Sequence, residues 1–71
     1  MIKNDRELQV TLERIRHFQE LVAHLRTTET NPVNYRLSVS GYLAEIDRMN
    51  LAVREYLWLH PEEIADDPVA I

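Results

Sequence analysis

Hydrophobic residues recur along the first part of the chain at the spacing of one helix face. Six positions between residues 8 and 25 follow each other at alternating intervals of three and four, like the a and d positions of a heptad repeat. Asn4, with Glu7 three residues later, resembles a capping box that has Asn in place of Ser or Thr. The pattern therefore predicts a helix from about residue 5 to about residue 26. Its a positions are Leu8, Ile15 and Val22, and its d positions are Thr11, Phe18 and Leu25.

The same spacing returns in the second half of the chain. Asn31 and Pro32 are typical of an N-cap and of the first position of a helix, because proline fixes a helical φ where its missing N–H needs no partner. Pro61 ends the pattern, so we expect a second helix over about residues 32–60. Weak helix formers around Gly41 leave a later start open. The a positions of this helix are Val39, Ile46 and Val53, and its d positions are Tyr42, Met49 and Tyr56.

Two helices joined by the short segment TTETNP predict an all-α fold, an antiparallel two-helix hairpin of coiled-coil type. A hairpin of 71 residues has a thin core, and the chain contains no cysteine that could add a disulfide. The broad faces made by Leu12 and Leu21, and by Leu43 and Leu57, would stay in water in a monomer. We therefore expect a homodimer that closes into a four-helix bundle, although the mixed core leaves dimer versus tetramer open. The predicted dimer core is Leu8, Ile15, Phe18, Val22, Val39, Tyr42, Ile46, Met49, Val53 and Tyr56.

A second apolar row follows the f positions of the second helix, about opposite its a and d positions. These f positions are Leu37, Ala44, Leu51 and Trp58, so the stretch LAVREYLWLH has two apolar sides. In one interpretation Leu37, Leu51 and Trp58 bind a heterologous protein partner, with Trp58 as the anchor. In the other, this row is covered by the dimer itself or by the tail that follows the helix. The apolar residues of that tail are Ile64, Val69 and Ile71.

The negative charge of the chain is confined to its C-terminal end. The formal net charge is −4, and residues 1–60 balance. The acidic residues that account for the net charge are Glu62, Glu63, Asp66 and Asp67. We therefore divide the chain into a helical hairpin, residues 1–60, and an acidic tail, residues 61–71. No apolar run is long enough for a signal peptide or a membrane span, so we expect a cytoplasmic protein without membrane contact.

The charge pattern also bears on partners. A nucleic-acid-binding protein usually has a basic patch or stripe, and this chain has none in bulk. A protein partner is therefore the main hypothesis. The alternative is a regulator that contacts nucleic acid through the arginines of the first helix, Arg14, Arg16 and Arg26.

Four residues on the outer face of the first helix have spacings that could serve a metal ion. They are Glu13, His17, Glu20 and His24, at intervals of four, three and four. Alternating charge at such positions is more typical of a solvated face. We therefore expect no metal site and no cofactor.

Three tyrosines share the d row of the second helix and raise the question of a stacking platform for bases. Tyr35, Tyr42 and Tyr56 are better explained as core residues whose hydroxyl groups reach the wet edge. His60, next to Pro61, is best explained as a cap or cation at the helix C-terminus. No serine or threonine has a base beside it in a pocket, so we predict no catalytic residue and no enzyme.

Two stretches, IKNDRELQVTLERIRHFQELVAHL and NPVNYRLSVSGYLAEIDRMNLAVREYLWL, carry a resemblance to a known family and cover most of the chain. The residues involved are Ile2, Lys3, Asn4, Arg6, Thr11, Phe18, and the run from Ala44, Glu45 and Ile46 to Glu55 and Tyr56. These stretches resemble the helical N-terminal region of bacterial Xre-type helix-turn-helix antitoxins and regulators. The resemblance implies a dimerisation or toxin-contacting module. In that family a DNA-binding domain follows this region, and we expect that domain to be absent here.

Overall fold

The computed structural model describes residues 1–64 of the chain and shows an antiparallel helical hairpin. Helix α1 spans Asp5–Thr28 and helix α2 spans Pro32–Trp58, with three residues between them. A single 3-10 turn follows at Pro61–Ile64. Helix α1 ends two residues later than the pattern predicts, and α2 ends two residues earlier. The rest of the expected acidic tail lies outside the described residues.

The start of α1 is fixed by reciprocal side-chain caps. The Asn4 Oδ1 accepts a hydrogen bond from the backbone N–H of Glu7 at 2.8 Å, as the predicted capping box requires. The Glu7 Oε1 in turn accepts from the N–H of Lys3 at 2.9 Å, one residue before the N-cap itself. These two bonds satisfy backbone donors that no helical carbonyl can reach.

The start of α2 is also capped, which resolves the question left open by the residues around Gly41. The Asn31 Oδ1 accepts from the N–H groups of Val33 at 2.9 Å and Asn34 at 3.3 Å. The helix begins at Pro32 and continues through Gly41 without interruption. The cap and the proline together outweigh the weak helix propensity that follows.

The core is a single row of side chains between the two helices. Five of the predicted a and d residues of α2 are buried, and Ile15 is the buried residue of α1. The rings of Phe18 and Tyr42 pack across the hairpin with centroids 5.6 Å apart. Residues of α1 and α2 whose numbers add to about 60 therefore lie level with each other. The buried residues are Ile2, Ile15, Val39, Ile46, Met49, Val53 and Tyr56.

Among the described residues, Ile2 is the one buried residue outside the predicted pattern. It precedes α1 and belongs to the same buried cluster as Ile15 and Ile46, which Leu8 and Phe18 cover in part. The chain before the N-cap therefore folds back over the hairpin instead of extending into solvent.

The hairpin is slender, and this limits what it can bury. It measures 50 × 16 × 13 Å, and no large side chain among the described residues is fully buried. Neither described helix is long and apolar enough to cross a membrane. Much of the apolar surface consequently remains at the outside of the hairpin.

Candidate interaction surfaces

The f positions of α2 form an exposed apolar row that we call the outer stripe: Leu37, Ala44, Leu51 and Trp58. Leu37 is 72% exposed, Leu51 53% and Trp58 83%. These side chains point away from α1 because f lies opposite the a and d positions that pack against it. Val33, four residues before Leu37, is also exposed and extends the row by one turn. The outer stripe thus runs along most of α2.

The C-terminal end of the outer stripe borders an open groove of about 350 Å³. Met1 lies there although it is distant in sequence, because Ile2 anchors the N-terminal segment against the core. Two charged residues, Arg54 and Glu55, stand at the edge of this groove. An apolar strip with a charged edge is typical of a protein-binding surface. The residues that line the groove are Met1, Leu51, Arg54, Glu55, Trp58 and Leu59.

The two long sides of the hairpin differ. One side carries a groove of about 590 Å³ between the helices, lined by Glu7 and Arg14 of α1 and by Glu45 and Ala52 of α2. These four residues are all g positions, so the g positions of both helices share one side. Because the helices are antiparallel, their e positions share the opposite side.

That opposite side carries a second exposed apolar surface, which we call the leucine flank: Leu12, Leu43 and Leu57. Their exposure ranges from 42% for Leu12 to 62% for Leu57. All three occupy e positions, about a quarter turn from the outer stripe on the α2 wheel. Leu21, which was expected to broaden the opposite edge of α1, is half-buried on the g side. The hairpin therefore presents two separate apolar surfaces.

The tyrosine row faces inward. Tyr56 is buried, and its hydroxyl donates a hydrogen bond to the Asp5 Oδ1 at 2.6 Å. Tyr35 and Tyr42 are half-buried. The three rings therefore do not form an open platform on which bases could stack.

His60 organises the 3-10 turn after α2. Its ring Nδ1 accepts a hydrogen bond from the backbone N–H of Glu62 at 3.1 Å, and the backbone N–H of His60 donates to the Glu63 Oε1 at 3.1 Å. This arrangement makes His60 a local cap of the turn.

The outer face of α1 is solvated. Glu13, His17, Glu20 and His24 are all exposed. Within residues 1–64, no group of three or more histidine and carboxylate side chains is placed to hold a metal ion.

The arginines of α1 do not converge. Arg14 and Arg16 leave the helix on either side of the buried Ile15, and Arg14 lines the g-side groove together with Glu7 and Glu45. Arg26 lies almost three turns further along the helix. The described part of the chain therefore places these positive charges on different sides, mixed with carboxylates.

Sequence reasoning identified the outer stripe and the leucines of the e positions, but it missed three contributors. Met1 and Ile2 precede the first helix and show no periodicity, and Val33 belongs to the b row by heptad counting. An apolar pair separated from the N-cap Asn4 only by Lys3 was the available signal for the first two.

Comparison with known proteins adds no relative. No family model, no curated protein and no solved structure matches this chain.

Proposed function

We propose that this chain is a small oligomerisation and protein–protein interaction module, which forms a homodimer and binds a heterologous protein through its outer stripe. The observation that supports this proposal is the exposure of two apolar surfaces on a hairpin with a thin core. Full burial of one side chain of leucine size contributes roughly 1.5–3 kcal/mol. Covering either surface would therefore add substantially to the stability of a fold of this size.

Trp58 is the expected centre of the heterologous contact. It is the most exposed large residue of the outer stripe, and it stands beside Arg54 and Glu55 in the groove that Met1 borders. Tryptophan and arginine dominate the binding energy of many protein interfaces. A partner with an apolar pocket and a polar edge would match this surface.

The resemblance to the N-terminal region of Xre-type antitoxins and regulators suggests which partner to test first. A regulatory protein, such as the toxin of a toxin–antitoxin pair, is the partner class that this resemblance implies. The proposed activity is contact with other proteins, not catalysis.

The test combines molecular mass with tryptophan emission. We expect light scattering of the purified chain to give the mass of a dimer and Trp58 to emit at the long wavelength of a solvated indole. Trp58→Ala should keep this mass and change the free energy of unfolding by less than about 0.5 kcal/mol, because the side chain is exposed.

Leu59→Ala is the matched control, because Leu59 borders the same groove but is half-buried. It should cost more stability than Trp58→Ala. A monomeric mass at every concentration would refute the homodimer. A blue-shifted emission in the pure protein would show that the outer stripe is already covered by the chain's own copies or tail.

A further inference from the structure

We infer that the leucine flank is the seam of the homodimer and that a second, antiparallel copy of this chain covers it. This inference rests on the proposed function and specifies its oligomeric part. The outer stripe, which lies on α2 alone, then stays available for a different partner.

The spacing of the leucine flank is self-complementary. Leu43, Asn50 and Leu57 are successive e positions of α2, so the two leucines lie about 10 Å on either side of Asn50. Leu12 of α1 lies nearly level with Asn50 in the register of the hairpin. A two-fold axis through Asn50, in the plane of the flank and perpendicular to the helices, brings Leu43 onto Leu57 of the second copy. It also brings Leu12 close to its own counterpart.

The charges beside the flank obey the same symmetry. Asp47 lies three residues before Asn50 and Arg54 lies four residues after it, and both are exposed at b positions of α2. The two-fold axis therefore places Asp47 opposite Arg54 of the second copy, and this pair occurs twice. Within residues 1–64, the structure has one ion pair, between Glu45 and Arg48. Asp47 and Arg54 are therefore available to pair with the second chain.

Asn50 suits a position on the axis. Its amide carries both a donor and an acceptor, so two copies related by a two-fold axis can bond each other. A polar asparagine within an apolar seam is also a known device for fixing the register of packed helices.

The axis limits how far the two copies overlap. The flank lies along a side of the molecule that measures 50 by 16 Å. Asn50 lies eight residues before the end of α2 and eighteen after its start, so the two copies of α2 overlap over about 24 Å at 1.5 Å per residue. The outer stripe involves one helix of each chain and would give a narrower contact.

The direct test is a disulfide at the axis. The chain has no cysteine, so Asn50→Cys creates the one thiol of the molecule, and two such thiols would meet at the two-fold axis. We expect mild oxidation to convert most of this variant to a dimer that a reductant separates. Glu55→Cys is the control, because Glu55 is exposed at a c position of the same helix and faces away from the leucine flank. This variant should remain mostly monomeric on a denaturing gel.

The outcomes separate this inference from the proposed function. If the wild type has the mass of a dimer but Asn50→Cys does not cross-link above the Glu55→Cys control, the leucine flank is not the seam, although the chain still dimerises. If the wild type is a monomer, the homodimer itself is refuted.

A charge exchange provides the second test. Asp47→Arg alone and Arg54→Asp alone should each raise the dimer dissociation constant by about tenfold, because each places like charges opposite each other twice. The double variant Asp47→Arg/Arg54→Asp should return the constant to within about threefold of the wild type. Sedimentation equilibrium measures all four proteins, and circular dichroism checks that each remains helical. A double variant that is weaker than both single variants would overturn the assigned pairing.

Discussion

At the scale of single residues, a hydrogen bond 2.6 Å long joins the Tyr56 hydroxyl to the Asp5 carboxylate at the open end of the hairpin. It joins the last turn of α2 to the first turn of α1. We predict that Tyr56→Phe lowers the free energy of unfolding by about 1–2 kcal/mol, since a hydrogen bond to a charged group is stronger than the average one and the ring packing is kept. Urea denaturation followed by circular dichroism measures this change.

A matched residue is available for this measurement. Tyr35 shares the d row of α2 but is half-buried. Tyr35→Phe should change stability by less than about 0.5 kcal/mol. Equal losses in the two variants would mean that the hydroxyl of Tyr56 contributes nothing specific through Asp5.

At the scale of the secondary-structure elements, Gly41 is the weak point of α2. It is exposed in the helix interior, its φ is negative, and a Cβ placed on it would meet no atom within 4 Å. We predict that Gly41→Ala raises the free energy of unfolding by about 1 kcal/mol, because alanine restricts the unfolded chain and favours the helix. Ala44→Gly, one turn later on the exposed side, should lower it by a similar amount. A loss of stability in Gly41→Ala would show that another chain packs closely against this glycine.

At the scale of the whole molecule, the proposed homodimer would make the stability of this slender hairpin depend on association. A 50 × 16 × 13 Å body without a fully buried large side chain in its described part would gain stability if a second copy covered its leucines. We predict that the thermal midpoint rises with protein concentration, because unfolding is then coupled to dissociation. Differential scanning calorimetry over a wide concentration range measures this. Leu43→Lys, an exposed change on the leucine flank, should lower the midpoint and weaken its concentration dependence, whereas a constant midpoint in the wild type would contradict coupled folding.

The local devices of this fold were predictable because they depend on neighbours in the chain. Asn4 and Asn31 cap the helices, and each bonds a backbone N–H two or three residues further on. Ile15, Ile46 and Val53 are buried as their spacing indicates. The helix ends were less predictable, since the end of α2 depends on Leu59, whose N–H donates to the Tyr56 carbonyl, and on His60, which bonds the turn that follows.

Other features depend on contacts between residues far apart in sequence. Ile2 belongs to no periodic pattern, and its burial requires both helices to be in place. The hydrogen bond between Tyr56 and Asp5 spans 51 residues, and the sequence near either residue does not predict this pairing. Val33 joins the outer stripe because an α-helix of 3.6 residues per turn rotates slightly less per residue than a heptad repeat assumes.

The sequence by itself determined that this chain is helical, where its helices begin, which face of each is apolar and that α2 has a second apolar row, because all of these follow from the 3.6-residue period and from local capping. The tertiary structure decided which exposed residues come together. The antiparallel register placed Leu12 nearly level with Asn50, between the levels of Leu43 and Leu57, and brought Met1 to Trp58. Such groupings arise from the pairing of distant segments, which the order of residues along one helix does not contain.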